Sequence, residues 1–583
     1  MAREEDPLPA TARLNGWLEA RYEFWLARSP LQQAYLGLKT DAGKWDDIGD
    51  ARRKDDLDKV QQELADLKDN FQSVNLSPAG SLSYRLYDDR CQTLINEFPW
   101  RHYQCPVNQV DGWQQEIPSV MMNVHGVENV EDAQSYVARL QAITPLIDQV
   151  IESMRLAESA GILAPKFAYE HAIRDCRNVI SGAPFDAPLG SSPLWADISG
   201  KIDRLSLEPS AQQKLKSDAI RVLVTSVRPA FLKLIAACQA AEQRAGTEDG
   251  VWRYPNGGTY YASRLAYHTT TEMSAAEIHD FGVSEVERIH GEMQALMQKI
   301  GFSGDLKAFF AYLKTDPQFY FPQTPEGKAA YLARARSVTD GMSRRLDEVF
   351  LRKPRARLIV RPVEAFREQS ATSAFYKSGG AFDNRPGVYY VNTSDMHALP
   401  KYELESLAYH EGIPGHHMQI ALAQEMDDLP RFRRFADHTA YSEGWAVYAE
   451  RLAKDMGFYQ DPTADFGRLS SELWRACRLV VDTGIHMDDK RWTRNQAMDY
   501  LAENTPNAMG DIANSVERYI VDPGQATAYK IGMEKILALR EDAKARLGEK
   551  FDLRGFHNAV LGVGAVPLTI LSDVVEDWIK ETL

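Results

Sequence analysis

The chain has 583 residues, 44% of them hydrophobic and 26% charged, a composition typical of a globular protein with a large buried core. Its formal net charge of -15 argues against a general nucleic-acid-binding protein, because such proteins neutralise phosphates with basic surface. Apolar runs stay shorter than the roughly 20 residues that span a bilayer. The five cysteines are far apart and include no C-x-x-C pair, which argues against a cysteine zinc site.

Helical periodicity dominates the chain. It predicts amphipathic helices over residues 57–71, 133–156, 211–245, 275–300 and 331–350. Between the third and fourth of these helices, the sequence GVWRYPNGGTYY at 250–261 is a strong turn signal. We therefore predict an N-terminal helical region, 1–250, and a catalytic helical region, 251–583, joined by a soft boundary within one continuous fold.

Two short strands are predicted at 357–362 and 387–393, where Val, Ile and Tyr are concentrated. They are expected to form one small sheet beside the helix that carries His410. The second strand contains Tyr389, Tyr390 and Asn392. A strand in this position can bind an extended peptide through its backbone groups, which makes these three residues candidate substrate contacts. The alternative is two packed tyrosines in a sheet.

A helix predicted over 402–410 ends in the adjacent pair His410 and Glu411. In the zinc-peptidase motif H-E-x-x-H, two histidines one helical turn apart bind the metal, and the glutamate acts as general base on a metal-activated water. Here the residue four positions after His410 is Pro414, which cannot bind a metal and which disfavours a regular helix. The motif is therefore expanded or defective.

We predict that Pro414 and Gly415 loop out as a bulge. The bulge would bring His416 to the position of the second metal ligand, with His417 as the alternative. Without it, a histidine two helical turns from the first would lie about 10.5 Å along the axis, too far to share one ion.

The third metal ligand is expected from a helix predicted over 441–452. Glu443 lies 27 residues after His416, close to the spacing at which helical zinc peptidases place a ligand carboxylate. Glu450 is two turns further on the same face, where it can support a ligand. The alternative for Glu443 is a solvated helix carboxylate. Two histidines, one carboxylate and an open position favour Zn²⁺.

Several segments resemble the bacterial domain-of-unknown-function family 885 over nearly the whole chain. These segments are PNGGTYY at 255–261, HEGIPGHHMQ at 410–419, SEGWAVYAERL at 442–452, RLVVDTGIH at 478–486 and PGQATAYKIG at 523–532. Their order is also similar to that of the helical zinc oligopeptidases and carboxypeptidases, typified by thimet oligopeptidase and angiotensin-converting enzyme. The resemblance implies a mainly α, two-lobed zincin-like fold with a central cleft and one small β-sheet near the metal helix.

The resemblance also implies residues that complete the site. In those zinc peptidases a downstream His and Tyr stabilise the oxyanion, and the matching candidates here are His486 and Tyr529, with Tyr519 as the alternative phenol. Arg478 is a candidate for binding a substrate carboxylate, or a structural ion-pair partner. Gln525 is expected to help shape the cleft.

These observations predict a zinc metallopeptidase that acts on oligopeptides. The alternatives are a zinc amidohydrolase acting on a non-peptide amide and a helical binding lipoprotein with a structural metal. Many members of the resembled family look exported or lipid-anchored. We therefore expect an exported protein, periplasmic or lipid-anchored, whose signal is replaced here by Met1. The polar N-terminal sequence is equally typical of a cytoplasmic protein, which is the alternative.

Overall fold

The structure is a computed structural model that describes residues 7–186, 190–363, 368, 371–380 and 385–583. The chain divides into two compact units, Met1–Glu248 and Asp249–Leu583. Most of the described residues are helical, and one small three-stranded sheet lies in the second unit. The expected mainly α fold with one small sheet is confirmed. The predicted division at residue 250 stays a prediction.

The first unit contains eleven α-helices among its described residues. They are α1 Pro7–Ala27, α2 Pro30–Tyr35, α3 Asp50–Phe71, α4 Pro78–Glu97, α5 Trp113–Ser119, α6 Val130–Gln141, α7 Ile143–Ser159, α8 Lys166–Val179, α9 Pro193–Asp203, α10 Pro209–Val222 and α11 Arg228–Glu242. The helix predicted over 133–156 is two helices, α6 and α7. Pro145, near the start of α7, has no N–H to donate back to Gln141, which ends α6.

The second unit contains fourteen α-helices among its described residues. They are α12 Gly257–Thr269, α13 Ala275–Ile300, α14 Leu306–Thr315, α15 Pro325–Ser343, α16 Leu404–Glu411, α17 His416–Gln424, α18 Arg431–Arg434, α19 Thr439–Asp455, α20 Pro462–His486, α21 Arg494–Asn504, α22 Met509–Val521, α23 Ala528–Leu547, α24 Leu553–Leu561 and α25 Leu568–Thr582. The helix predicted over 275–300 is confirmed as α13. Ser274 and Glu277 form a capping box at its start, and Gly301, with a φ of 80°, ends it.

The sheet contains β1 Leu358–Pro362, β2 Ala374–Lys377 and β3 Gly387–Val391, in the spatial order β1-β3-β2. It lies beside α16. β3 pairs in parallel with β1 and antiparallel with β2, so its backbone groups are used on both sides. The predicted pairing of β3 with a peptide is therefore wrong, because β-strand addition needs a free edge.

Helices α16, α19, α20 and α23 form the core that positions the site. α19 and α23 approach at Gly444 and Gly532, where a Cβ added to Gly444 would lie 2.4 Å from the carbonyl carbon of Gly532. Backbones this close leave no room for a side chain on either helix, and the contact fixes the register between them. Within the described residues, none of the helices combines the length and the apolar character needed to cross a membrane.

Candidate metal centre and the adjoining arginine cluster

The segment that carries the predicted zinc motif is a break between two helices. α16 ends at Glu411 and α17 begins at His416, with a turn over 412–415 between them. The predicted bulge within one helix is therefore replaced by a full interruption. In the turn, Gly415 donates its N–H to the carbonyl of Tyr409 at 2.9 Å, and a Cβ on Gly415 would lie 2.0 Å from the carbonyl oxygen of His410. Only glycine fits at this position.

The break brings three potential metal ligands together. The ligand atoms of His410, His416 and Glu443 all lie within 4.8 Å of one another. The Oε2 atom of Glu443 is 3.5 Å from Nε2 of His410 and 3.4 Å from Nε2 of His416. The two imidazole rings are perpendicular, with their centroids 4.9 Å apart. The Nε2 atoms of the two histidines therefore share one carboxylate oxygen.

This arrangement fits a zinc ion. Ligand atoms that lie about 2.1 Å from a tetrahedral Zn²⁺ are about 3.4 Å from one another, and the two distances from Glu443 to the histidines are 3.5 and 3.4 Å. Oε2 of Glu443 is buried and has no hydrogen-bond partner among the described residues, a cost that a bound cation would remove. Burial raises the pKa of Glu443, but His416 and His410 lower it well below its usual range, so the group is a carboxylate.

A network of side chains orients His410. Its Nδ1 lies 2.8 Å from Oε1 of Glu450, whose other oxygen accepts a hydrogen bond from Ser406. Arg475 Nη2 is 3.7 Å from the same Oε1 atom. Burial lowers the pKa of His410, but the neighbouring carboxylates of Glu443 and Glu450 outweigh it and raise the pKa to about 10. Once the imidazolium of His410 loses the proton on Nε2, the Glu450 carboxylate keeps the other proton on Nδ1. The lone pair of Nε2 then points towards the metal position.

His417 and Glu411 lie beside the cluster without joining it. Tyr376 Oη lies 3.0 Å from Nδ1 of His417, and the carbonyl of Ala356 lies 3.0 Å from Nε2. Because both ring nitrogens are used, His417 has no lone pair to offer a metal in this arrangement. Glu411 is the last residue of α16, is 7% exposed, and directly follows His410. Its predicted role as general base stays a prediction.

His486 occupies a structural position. Its Nδ1 accepts the N–H of Val251 at 3.2 Å, and its Nε2 donates to the carbonyl of Tyr519 at 2.9 Å. Burial lowers the pKa of His486 to about 3, so the ring is neutral. A neutral imidazole has one N–H, and main chain uses it here. The ring has no donor left for an oxyanion, so we correct this assignment.

The side chains predicted to contact substrate from the sheet are also committed to packing. Tyr389 is fully buried, and Tyr390 stacks on Phe375 with ring centroids 5.0 Å apart. The side-chain amide of Asn392 donates to the main-chain carbonyls of Glu368 and Ala371 at 2.7 and 3.0 Å. These contacts favour the alternative of packed tyrosines in a sheet.

The other predicted residues lie together in a second cluster, which contains Arg478, Tyr519, Gln525 and Tyr529. The Cζ atom of Arg478 lies 4.6 Å from the ring centroid of Tyr529 and 6.0 Å from that of Tyr519. Arg518 donates from Nη2 to Gln525 Oε1 at 2.5 Å and to Tyr529 Oη at 3.4 Å. Sequence reasoning missed Arg518, because a single arginine on an amphipathic helix gives no signal that separates it from a surface residue.

Elsewhere in this unit, three carboxylates surround a buried lysine. Lys530 is fully buried, and its Nζ lies 2.8 Å from Glu285, 2.8 Å from Glu472 and 2.6 Å from Glu534. The ammonium group occupies the position a metal ion would take, so this group is an ion-pair network.

The comparisons with known proteins agree on a family and a fold. A family model described as "Bacterial protein of unknown function (DUF885)" matches residues 30–575. No curated protein matches the chain. A structure described as "the putative lipoprotein from Colwellia psychrerythraea" is 30% identical, with a TM-score of 0.92 over 98% of this chain and 99% of that one. "A putative lipoprotein of unknown function from Shewanella oneidensis" is 18% identical, with a TM-score of 0.72 over 97% and 99%, and shows the shared fold alone.

Proposed function

The chain belongs to the bacterial DUF885 family of unknown function, and from its own site we propose that it is a zinc-dependent hydrolase that cleaves peptide bonds of oligopeptides. The observation that carries the proposal is the convergence of His410 Nε2, His416 Nε2 and Glu443 Oε2. Structural zinc sites have four protein ligands, whereas catalytic sites have three and an open position. Three ligands with Glu411 adjacent to one of them therefore favour catalysis.

The residues of the site divide the chemistry among them. Zn²⁺, when bound by these three ligands, supplies Lewis acidity that polarises the scissile carbonyl and acidifies water. Glu411 removes a proton from the attacking water and passes it to the leaving amine. Glu450 holds the ring of His410 in the ligand orientation.

Tyr529 is proposed as the donor that stabilises the oxyanion. It lies on α23 one helical turn before Gly532, which packs against Gly444 beside the ligand Glu443. Its hydroxyl oxygen accepts a hydrogen bond from Arg518 at 3.4 Å, which leaves the O–H of the phenol to donate to an oxyanion. The proposal leaves His486 out, because its nitrogens are held by main chain.

We also propose the two-lobed zincin-like architecture with a central cleft, and export of the protein. The two similar structures reported above are each described as a "putative lipoprotein", which supports a periplasmic or lipid-anchored location.

The test combines metal analysis with a peptide-library digest read by mass spectrometry. The wild-type protein is expected to carry about one zinc per chain and to cleave peptides. Glu411→Gln is expected to keep its zinc and to lose activity by roughly 100-fold or more, because general-base catalysis contributes about 10²–10⁴-fold. Glu541→Gln, at an exposed carboxylate on α23, is the matched control and is expected to retain full activity.

Two results would contradict the proposal. Full hydrolysis by Glu411→Gln would contradict the role of Glu411 as general base. A wild-type protein that binds no zinc would contradict the proposed metal centre. A parallel library of non-peptide amides separates the peptidase from a zinc amidohydrolase, because the same residues would carry out both reactions. Zinc binding with no hydrolysis in either library would favour a binding protein with a structural metal.

A further inference from the structure

We infer that Arg478 and Arg518 form a subsite for a free carboxylate of the peptide substrate. The inference rests on the proposed function, since it names the class of peptide that the same site accepts. The chemistry needed is an anionic, planar group that takes hydrogen bonds from guanidinium nitrogens. In a peptide, that group is the α-carboxylate at the C-terminus or the side chain of Asp or Glu.

The two guanidinium groups meet around one phenol. Arg478 lies over the ring face of Tyr529, with Cζ 4.6 Å from the centroid, while Arg518 approaches the hydroxyl of the same residue at 3.4 Å. Gln525 holds Arg518 from the other side, through a bond of 2.5 Å from Nη2. A neutral amide and an aromatic ring thus hold two positive charges near each other, and neither of these two contacts supplies a negative charge.

Several hydrogen-bond donors in this cluster are unsatisfied. Nε and Nη1 of Arg478, Nε of Arg518 and the hydroxyl of Tyr519 are buried and have no partner among the described residues. The charge of Asp522 acts on Arg518, but the carboxylate lies 3.5 Å from His268 and forms no direct ion pair with either arginine among the described residues. Buried donors without partners destabilise a protein unless a ligand satisfies them. The cluster therefore lacks an anion, and a substrate carboxylate supplies it.

Two buried cations elsewhere in this unit are paired with carboxylates. Lys530 is surrounded by three carboxylates, and Arg468 pairs with Asp465 at 2.9 Å and with Glu472 at 3.3 Å. Within the described part of the chain, Arg478 is the arginine for which two buried nitrogens lack a partner. Arg478 therefore differs from Lys530 and Arg468, whose charges are paired with carboxylates.

Two short connections join the cluster to the metal centre. On α20, Arg478 lies one turn after Arg475, whose guanidinium is 3.7 Å from the Glu450 carboxylate that orients His410. On α23, Tyr529 lies one turn before Gly532, which contacts α19 beside a metal ligand. Because each connection spans about one helical turn along α20 or α23, we expect a carboxylate in this subsite to belong to a residue close to the scissile bond. A C-terminal carboxylate there makes the protein a peptidase that removes short C-terminal fragments.

Equilibrium binding to the full-length, zinc-loaded Glu411→Gln protein tests the inference. The probes are acetyl-Ala-Ala-Ala with a free C-terminus, the same peptide as its C-terminal amide, and amidated acetyl-Ala-Glu-Ala. The free acid is expected to bind about 10-fold or more tightly than the amide, the difference that a charge-assisted hydrogen bond provides. Amidated acetyl-Ala-Glu-Ala identifies the source: binding as tight as the free acid assigns the subsite to acidic side chains, and binding as weak as the amide assigns it to the C-terminus.

Arginine variants in the same background locate the subsite. Arg478→Met and Arg518→Met are each expected to weaken binding of the free acid by about 10- to 100-fold while leaving the amide unchanged. Arg478→Lys keeps the charge without the planar group and is expected to fall between the two. Arg546→Met is the control and is expected to change neither affinity, because Arg546 on α23 forms a surface ion pair with Glu576.

The outcomes separate this inference from the proposed function. If the acid and the amide bind equally, or if both methionine variants bind the acid like wild type, the subsite is overturned even when the wild-type protein hydrolyses peptides. If the arginines discriminate the acid from the amide but no peptide is cleaved, the proposed hydrolysis fails and the subsite stands. Circular dichroism and thermal unfolding establish that each variant is folded, and Arg518→Met provides the test if Arg478→Met is not.

Discussion

The two histidines of the candidate metal centre receive unequal support. His410 is held at Nδ1 by Glu450, which Ser406 and Arg475 hold in turn. The Nδ1 atom of His416 is buried and has no partner among the described residues. A carboxylate on the second nitrogen of a histidine fixes its tautomer and increases its basicity. His416 is therefore the less constrained ligand, and its removal tests the metal centre most directly.

We predict that His416→Gln and His417→Gln behave differently. His416→Gln is expected to raise the Kd for zinc by more than roughly 100-fold, the upper range for loss of a residue that only supports a ligand. His417→Gln is the matched control, because the neighbouring ring bonds to Tyr376 and to main chain rather than facing Glu443. Zinc titration against a chromophoric chelator measures both values. An equal loss of zinc affinity in the two variants, or a loss only in His417→Gln, would contradict the assignment of His416 as the ligand.

At the scale of elements, the break between α16 and α17 sets the geometry of the centre. The turn over 412–415 is closed by the bond from Gly415 to Tyr409, and Trp445 Nε1 donates to the carbonyl of Pro414 at 2.9 Å. The ligand helix α19 thus holds the turn directly, through the residue two positions after Glu443. The expanded motif is therefore a turn that connects α16 to α17, and α19 stabilises this turn.

Gly415→Ala is predicted to disrupt the turn over 412–415. The added Cβ would lie 2.0 Å from the carbonyl oxygen of His410, so the turn must move, at a cost of about 1–3 kcal/mol or more. Zinc affinity is expected to fall with stability, because the displaced backbone carries a ligand. Urea unfolding and zinc titration measure the two effects.

Gly258→Ala is the control for this experiment. A Cβ at Gly258, an exposed position in α12, meets no atom within 4 Å, so its stability is expected to stay within about 0.5 kcal/mol of wild type. If Gly415→Ala behaves like Gly258→Ala, the turn is not the constraint that we describe.

At the scale of the whole molecule, a buried ion-pair network joins α13, α20 and α23 in the second unit. Lys530 on α23 binds Glu285 and Glu472, and Arg288 on α13 also pairs with Glu472. Burial raises the pKa of Glu472, but the charges of Lys530, Arg288 and Arg468 lower it to about 2. The network therefore stabilises the charged form of a nearly inaccessible carboxylate.

This shift predicts a pH dependence with a definite sign. Because the pKa of Glu472 is lower in the folded protein than in the unfolded chain, its contribution to stability is complete above about pH 4.5 and is lost as pH falls towards 2. The shift corresponds to about 3 kcal/mol. The difference in unfolding free energy between wild type and Glu472→Gln should therefore shrink over this window. Urea unfolding from pH 6 to 2 measures it, with exposed Glu541→Gln as the control. A difference that stays constant with pH would contradict the pKa assigned to Glu472.

The sequence by itself determined the mainly α fold class and the candidate ligands of the proposed metal centre, with His416 and His417 both open. Periodicity and caps are local properties, so α13 was predicted to its end residues. His410 with Glu411 was likewise recognisable, because a predicted ligand and a predicted base next to each other in sequence stay neighbours in any fold. The family resemblance was recognisable for the same reason, since motifs are read in order along the chain.

Only the tertiary structure decided which distant groups meet. It placed His416 rather than His417 opposite Glu443, because a helix break cannot be distinguished from a bulge by sequence spacing. It enclosed β3 between two strands, one of which, β2, was not predicted. It also showed that His486 forms a hydrogen bond with a main-chain carbonyl. It placed Arg518 and Arg478 near each other, because both contact Tyr529. Hydrogen-bond saturation and charge pairing depend on neighbours from other elements, and packing alone supplies those neighbours.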